Sequence, residues 1–181
     1  MNFVEPIRSK EKVNDIMRYF SETSKRNQLM FAIGIYTGLR ISDILKLRVS
    51  DVSNQKYFDI IEKKTGKKRK FSINPELKKL FNAYCVGKEP NDYLIQSREG
   101  YNKPISRDMA YKIINQVCYD FGVENCGTHT LRKTFGYHYY QETGDLETLR
   151  IIFQHSHWSI TAKYIGITKE TIDEVFMRIS Y

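Results

Sequence analysis

Apolar residues recur along this chain with two different periods. From Ser9 to Ser24, Val13, Ile16, Met17 and Phe20 return every three or four positions, which is one face of a helix, and Ser9 stands where an N-cap belongs. Asn27 to Tyr36, NQLMFAIGIY, is apolar on every side and predicts a buried helix that Thr37 and Gly38 break. ISDILKLR predicts a further helix with Ile41, Ile44 and Leu45 toward the core and Arg40 at its entrance. Between Val52 and Ile73 the period shortens to that of strands. Tyr57 to Glu62 and Lys70 to Ile73 read as a hairpin joined by KKTGKKR, with Gly66 at a position suited to positive φ. Pro75 opens the helix ELKKLFNAYCV, and Ser106 caps RDMAYKIINQVCYDFGV, whose expected core stripe is Met109, Ile113, Ile114, Val117 and Phe121. Helices from His129 to Glu142 and from Asp145 to Gln154, a short helix holding Tyr164, and the amphipathic KETIDEVFMRIS complete the chain. The sum is mainly α with a small antiparallel β-sheet, an α+β fold in one domain over residues 1–181, because no repeat, linker or low-complexity tract divides it.

Charge narrows the choice of partner. The chain has 29 Lys and Arg against 21 Asp and Glu, a net charge of +8, which suits a polyanion such as nucleic acid or an anionic membrane, although a solvated basic surface has the same composition. No apolar run is long enough to span a bilayer, and MNFVEPIRSK lacks the apolar centre of a signal peptide, so the expected compartment is the cytoplasm. Three cysteines, Cys85, Cys118 and Cys126, form no CxxC pair and predict reduced, buried thiols. Cys126 and His129 have a CxxH spacing, but Cys118 and His138 do not complete a familiar zinc set, and no metal site is expected.

The candidate chemistry concentrates in THTLRKTFGYHYYQETGDLETLRIIFQHSHWSITAKYIGI, residues 128–167. His129 and Arg132 lie three apart, on one face of a helix. Arg132 offers a planar fork of donors to phosphate oxygens, His129 and His155 can carry protons near neutral pH, and the Tyr164 phenol can serve as a covalent nucleophile. Tyr139 and Tyr140 read as half-buried helix tyrosines. Upstream, Arg40 and Asp43 are also three apart and predict a surface ion pair. Six of the eight residues from Lys63 to Lys70 are Lys or Arg, so the hairpin tip is either a charged, aggregation-proof edge or a finger for phosphates.

Taken together these segments resemble the tyrosine recombinases, the phage-type integrases, from about Ser9 to the C-terminus. GLRISDIL is similar to the family's first-arginine motif, KKTGKKRKFSI to its lysine-bearing hairpin, HTLRKTF to its HxxR helix, and HSHWSITAKY to its histidine-to-tyrosine segment. Each is weak alone, but all four occur in order, with His155 nine residues before Tyr164. The resemblance implies that Arg40 and Arg132 clamp the scissile phosphate and that Tyr164 attacks it. It makes Lys64 the general acid for the leaving 5′ oxygen, His129 the helper in proton removal, His155 a phosphate contact, and Asp43 the residue that orients Arg40. Lys63, Lys67, Lys68 and Arg69 would contact DNA.

It further implies a site-specific recombinase of bacterial or phage origin, associated with the nucleoid. Double-stranded DNA is its partner, and neither metal nor other cofactor is required, since the tyrosyl ester conserves the energy of the phosphodiester. A catalytically silent DNA-binding regulator and a type IB topoisomerase-like enzyme are the alternatives. Lys63, Lys67 and Lys68 are rivals of Lys64, because hairpin register is open. His157 is a rival of His155, and Trp158 adds to the ambiguity, since some relatives use Trp in place of this histidine. Gln154 stands where many members have Gly. No core-binding or arm-binding domain precedes the catalytic segment, which fits either a short single-domain recombinase or a piece of a longer chain. Ile172, Val175, Phe176 and Ile179 make an apolar face on the tail. By resemblance that tail docks on a neighbouring subunit, so that the free protein is a monomer and the DNA complex a tetramer.

Overall fold

Ser24 ends one helix and begins the next, and this economy shapes the N-terminal half. The computed structural model describes residues 4–61, 66, 68–167 and 177. Helix α1 (Lys10–Thr23) is capped by Ser9, whose hydroxyl accepts from Lys12 N–H, and it buries Ile16 and Phe20. The backbone N–H of Ser24 closes α1 on Phe20, while its side chain accepts from Asn27 N–H to open α2 (Lys25–Thr37). Helix α2 buries seven residues, Leu29 to Gly34 and Thr37, and so forms the axis of the main core, as its apolar sequence predicts.

The segment expected as one helix, ISDILKLR, is helical only in its first turn. Helix α3 (Ile41–Ile44) is a single turn, and α4 (Val49–Val52) starts after a turn, with Arg48 N–H held by the Asp51 carboxylate. Strands β1 (Tyr57–Ile61) and β2 (Lys68–Ser72) pair antiparallel from Tyr57↔Ser72 to Ile61↔Lys68, two residues earlier on the second strand than the sequence pattern suggests. Phe58 and Ile60 face inward, and Phe58 stacks on Phe71 at 5.4 Å. Gly66 has φ 65°, the left-handed conformation expected of it.

Helix α5 (Pro75–Cys85) follows an Asn74 cap with Pro at the first position, where its missing N–H costs nothing. Helix α6 (Arg107–Asp120) is capped by Ser106 as expected, but its core stripe is Ala110, Ile114, Val117 and Cys118. Met109, expected inside, is 46% exposed. All three cysteines are buried and reduced.

Helix α7 (Thr130–Thr143) joins two apolar clusters. On one side Leu131 packs so closely on Gly34 of α2 that a Cβ there would lie 2.6 Å from the Leu131 side chain. On the other, Gly136 admits Phe153 and Ile165 from α8 (Leu146–Phe153) and α9 (Trp158–Ile165), which form a small second cluster with Leu149. The N-terminal lead straps α7 from outside: Ile7 N–H donates to Thr134 Oγ1 and the Ile7 carbonyl accepts from His138 Nε2. The first turn of α7 therefore opens at the seam between the clusters, held from both sides. Among the described residues no helix is long and apolar enough to cross a membrane.

Candidate active site

Arg132 sits at that seam, 4% exposed, and its position is set by backbone carbonyls. Nη1 donates to the Gly38 carbonyl at 2.5 Å and Nη2 to the Phe153 carbonyl at 3.0 Å, while the guanidinium lies 4.2 Å from the Phe153 ring centroid. Gly38 is the left-handed C-cap of α2, φ 65°, and two residues later Arg40 stands at the N-cap of α3. One hydrogen bond thus ties the turn that presents Arg40 to the side chain of Arg132. Asp43 is 2% exposed in the same turn, its N–H donating to the Arg40 carbonyl and its carboxylate 3.9 Å from Lys46. The acid expected at the surface is accordingly buried, because the single turn of α3 packs into the core.

His129 caps α7 without a side-chain cap bond, and its Nδ1 lies 3.0 Å from Tyr164 Oη, the rings meeting at 84°. The residue is exposed overall, yet partial burial lowers its pKa below the usual 6.5, and the charges of Arg132, Lys133, Arg107 and Arg40 push the same way. His129 is consequently neutral at neutral pH. Burial raises the pKa of Tyr164, opposed by the charges of Arg132 and Arg40 and by a hydrogen bond to Arg132. In the resting site the phenol keeps its proton, with cations in place to stabilise the phenolate.

Two histidines compete on the sequence for one place, and the structure separates them. His155 packs against the Tyr164 ring at 5.3 Å between centroids, its Nδ1 2.9 Å from the buried Thr161 hydroxyl. His157 instead caps α9, its Nδ1 accepting from Ser159 N–H at 3.3 Å, with Trp158 exposed beside it. Gln154 occupies the left-handed C-cap of α8 at φ 54°, the conformation a glycine would supply, and so the helix-to-turn geometry does not depend on glycine.

The hairpin candidates divide. Lys63, Lys64 and Lys67 lie outside the described residues. Lys68 is exposed and pairs across the strands with Asp59 at 3.0 Å. Arg69 turns inward, with Nη1 donating to the Ile152 carbonyl at 2.9 Å. The site also contains a cation that the sequence reading passed over. Lys133 is 5% exposed with Nζ 5.1 Å from the Tyr164 ring centroid, and burial lowers its pKa against the opposing charge of Glu5. Its one sequence signal is a lysine immediately after Arg132, on a helix whose first turn is buried. Among the described residues no three His, Cys, Asp or Glu side chains gather as a metal-binding set.

Two arginine-bearing turns, a histidine and a tyrosine thus meet from three elements far apart in the chain, and these carry three of the four motifs. The profile of the phage integrase family matches residues 8–171. The chain belongs to the phage integrase family. It is 46% identical over 171 residues to the "Probable integrase/recombinase YoeC" of Bacillus subtilis, covering 94% of each chain. A tyrosine recombinase of Pseudothermotoga lettingae is 29% identical over 155 residues, 83% of this chain and 53% of that one, so the chain spans about half the length of that relative. The fold matches the crystal structure of the XerH site-specific recombinase bound to difH substrate, with a TM-score of 0.73, 19% identity, and coverage of 98% of this chain and 55% of that one. The family is that of the tyrosine-type site-specific recombinases, and this phage integrase domain carries that class of activity.

Proposed function

We propose that this integrase-family chain cuts and rejoins double-stranded DNA through a 3′-phosphotyrosyl ester on Tyr164. The carrying observation is the 3.0 Å approach of Tyr164 Oη to His129 Nδ1, with the charges of Arg132 and Arg40 favouring the phenolate. A phenol of pKa about 10 is a weak nucleophile at neutral pH. Neutral His129 accepts its proton at Nδ1 as Tyr164 Oη bonds to phosphorus and the bond from phosphorus to O5′ breaks. A hairpin lysine, Lys64 by its place in the motif, gives a proton to the departing oxygen. Arg40 and Arg132 neutralise the charge that develops on the nonbridging oxygens, and Lys133 adds its charge beneath the phenol ring. Asp43 steadies the turn of Arg40, and His155 meets the phosphate with its ring oriented by Thr161. Attack by the 5′-hydroxyl of a partner strand reverses the step and exchanges strands.

Duplex DNA as substrate is supported by the net charge of +8 and by the similarity to XerH, a recombinase bound to its difH substrate. Lys63, Lys67 and Lys68 serve as phosphate contacts near the cut. The working state is a tetramer on two sites, assembled from monomers on nucleoid DNA through the tail, whose residues Ile172, Val175, Phe176 and Ile179 lie outside the described residues.

The test is covalent capture. The protein is incubated with a duplex from its own genomic neighbourhood, nicked near the candidate site so that the 5′ fragment diffuses away, and the products are run on a denaturing gel. An adduct confined to one sequence is expected. Tyr164→Phe removes one hydroxyl and should bind DNA as before but form no adduct. An adduct that survives this change moves the nucleophile to Tyr139 or Tyr140. Adducts on any duplex would favour a topoisomerase, and retardation of DNA without adducts a regulator.

A further inference from the structure

Strand β2 alternates, so Lys68, Lys70 and Ser72 are exposed while Arg69 and Phe71 share the inner face. The Arg69 guanidinium lies 4.7 Å over the Phe71 ring, and Nη1 crosses to α8 to donate to the Ile152 carbonyl. The next carbonyl along the chain, that of Phe153, accepts from Arg132 Nη2. Two arginines, one from the hairpin and one from the phosphate clamp, therefore hold adjacent carbonyls in the last turn of α8. A guanidinium used this way is poorly placed to serve as a mobile phosphate contact. A planar fork on a strand is, however, well suited to fixing one element against another.

We propose that Arg69 is a positioning residue: it locks the lysine-bearing hairpin to the end of α8 that anchors Arg132, so that leaving-group acid and phosphate clamp move as one unit. This rests on the reading of a hairpin lysine as the acid. It deepens that reading by assigning the register between acid and clamp to a single side chain, and it removes Arg69 from the residues that touch DNA.

The test uses Arg69→Met, which keeps the apolar stem over Phe71 and removes the donors. Arg69→Lys, which keeps the charge but not the fork, is its companion. Single-turnover adduct formation is measured on the nicked duplex, once with an ordinary phosphodiester and once with a 5′-bridging sulfur, whose thiolate leaves without an acid. DNA affinity is followed against salt. Both variants should lose about ten- to a hundredfold in rate on the ordinary substrate, recover most of it on the sulfur substrate, and keep the parent's salt dependence.

A salt slope reduced by about one in Arg69→Met and restored in Arg69→Lys would make Arg69 a phosphate contact and overturn the proposal. So would an unchanged rate, or an equal loss on both substrates. If Arg69→Met does not fold, Arg69→Lys decides by the same readouts. Lys64→Ala, Lys63→Ala and Lys67→Ala on the two substrates test the reading beneath. If one is rescued by sulfur and the Arg69 variants are not, only the positioning role falls. If none is rescued, the hairpin carries no acid and both ideas fall together.

Discussion

Arg132 combines two demands on one side chain. In the proposed reaction it presents charge to a phosphate, and it also supplies donors to the buried carbonyls of Gly38 and Phe153. Arg132→Lys keeps the charge but cannot reproduce two directed bonds from one plane. The expected outcome is a loss of about a hundredfold or more in the single-turnover cleavage rate. A drop of about 1–3 kcal/mol in stability by thermal melting should accompany it, because a carbonyl is left without its donor. A purely catalytic arginine would show the first effect without the second. Asp43 illustrates the same scale from the other side, since three-residue spacing in the sequence is identical for an exposed pair and for the buried acid found here. Tyr139 and Tyr140 are half-buried against the second cluster, as their place on α7 suggests.

Helix ends, rather than helix interiors, place the chemistry. Gly38, Arg40, His129, Gln154 and His157 are all cap residues, and between them they present or brace much of the candidate set. Gln154 is the costly one, a non-glycine at φ 54° whose Oε1 is buried without a hydrogen-bond partner. Gln154→Gly should raise stability by roughly 0.5–1 kcal/mol, relief of left-handed strain offset in part by the greater freedom of the unfolded chain. That is a rise of about 1–4 °C in Tm by calorimetry, with adduct formation unchanged because the turn already has the conformation glycine prefers. A fall in Tm would mean that the glutamine side chain holds the turn. In α6 the element and most of its stripe were legible, since Ile114 and Val117 are buried and Ile113 and Phe121 pack on the core, but Met109 was not. Ala110 and Cys118 take the inner positions that larger Met109 was expected to fill, since a small side chain lets the helix approach the core.

At the scale of the whole molecule, the packing that buries two histidines links folding to pH. His129 and His138 both have pKa values lowered, burial being the first cause in each. A histidine that is harder to protonate folded than unfolded removes stability as pH falls. The unfolded chain takes up its protons first, so Tm should decline through about pH 6.5 and level off below the folded-state values. Cleavage should keep its rate down to the same lower limit, since His129 stays neutral there. A melting curve flat from pH 7.5 to 5 would contradict both shifts. What the sequence determined by itself was local: helical and strand periods, caps at Ser9 and Ser106, the positive φ of Gly66, and a set of motifs whose order carried the family. These depend on neighbours a few residues apart, and one chain displays them. Only the tertiary structure decided that Arg69 turns inward to α8, that Asp43 is buried, that His155 rather than His157 faces Tyr164, and that Lys133 lies under the phenol ring. Each of those outcomes depends on how separate elements pack: a contact between segments far apart, the way a turn folds back on the next helix, or the choice of which face meets the core. Charge and spacing along a chain are the same whichever way such a face turns.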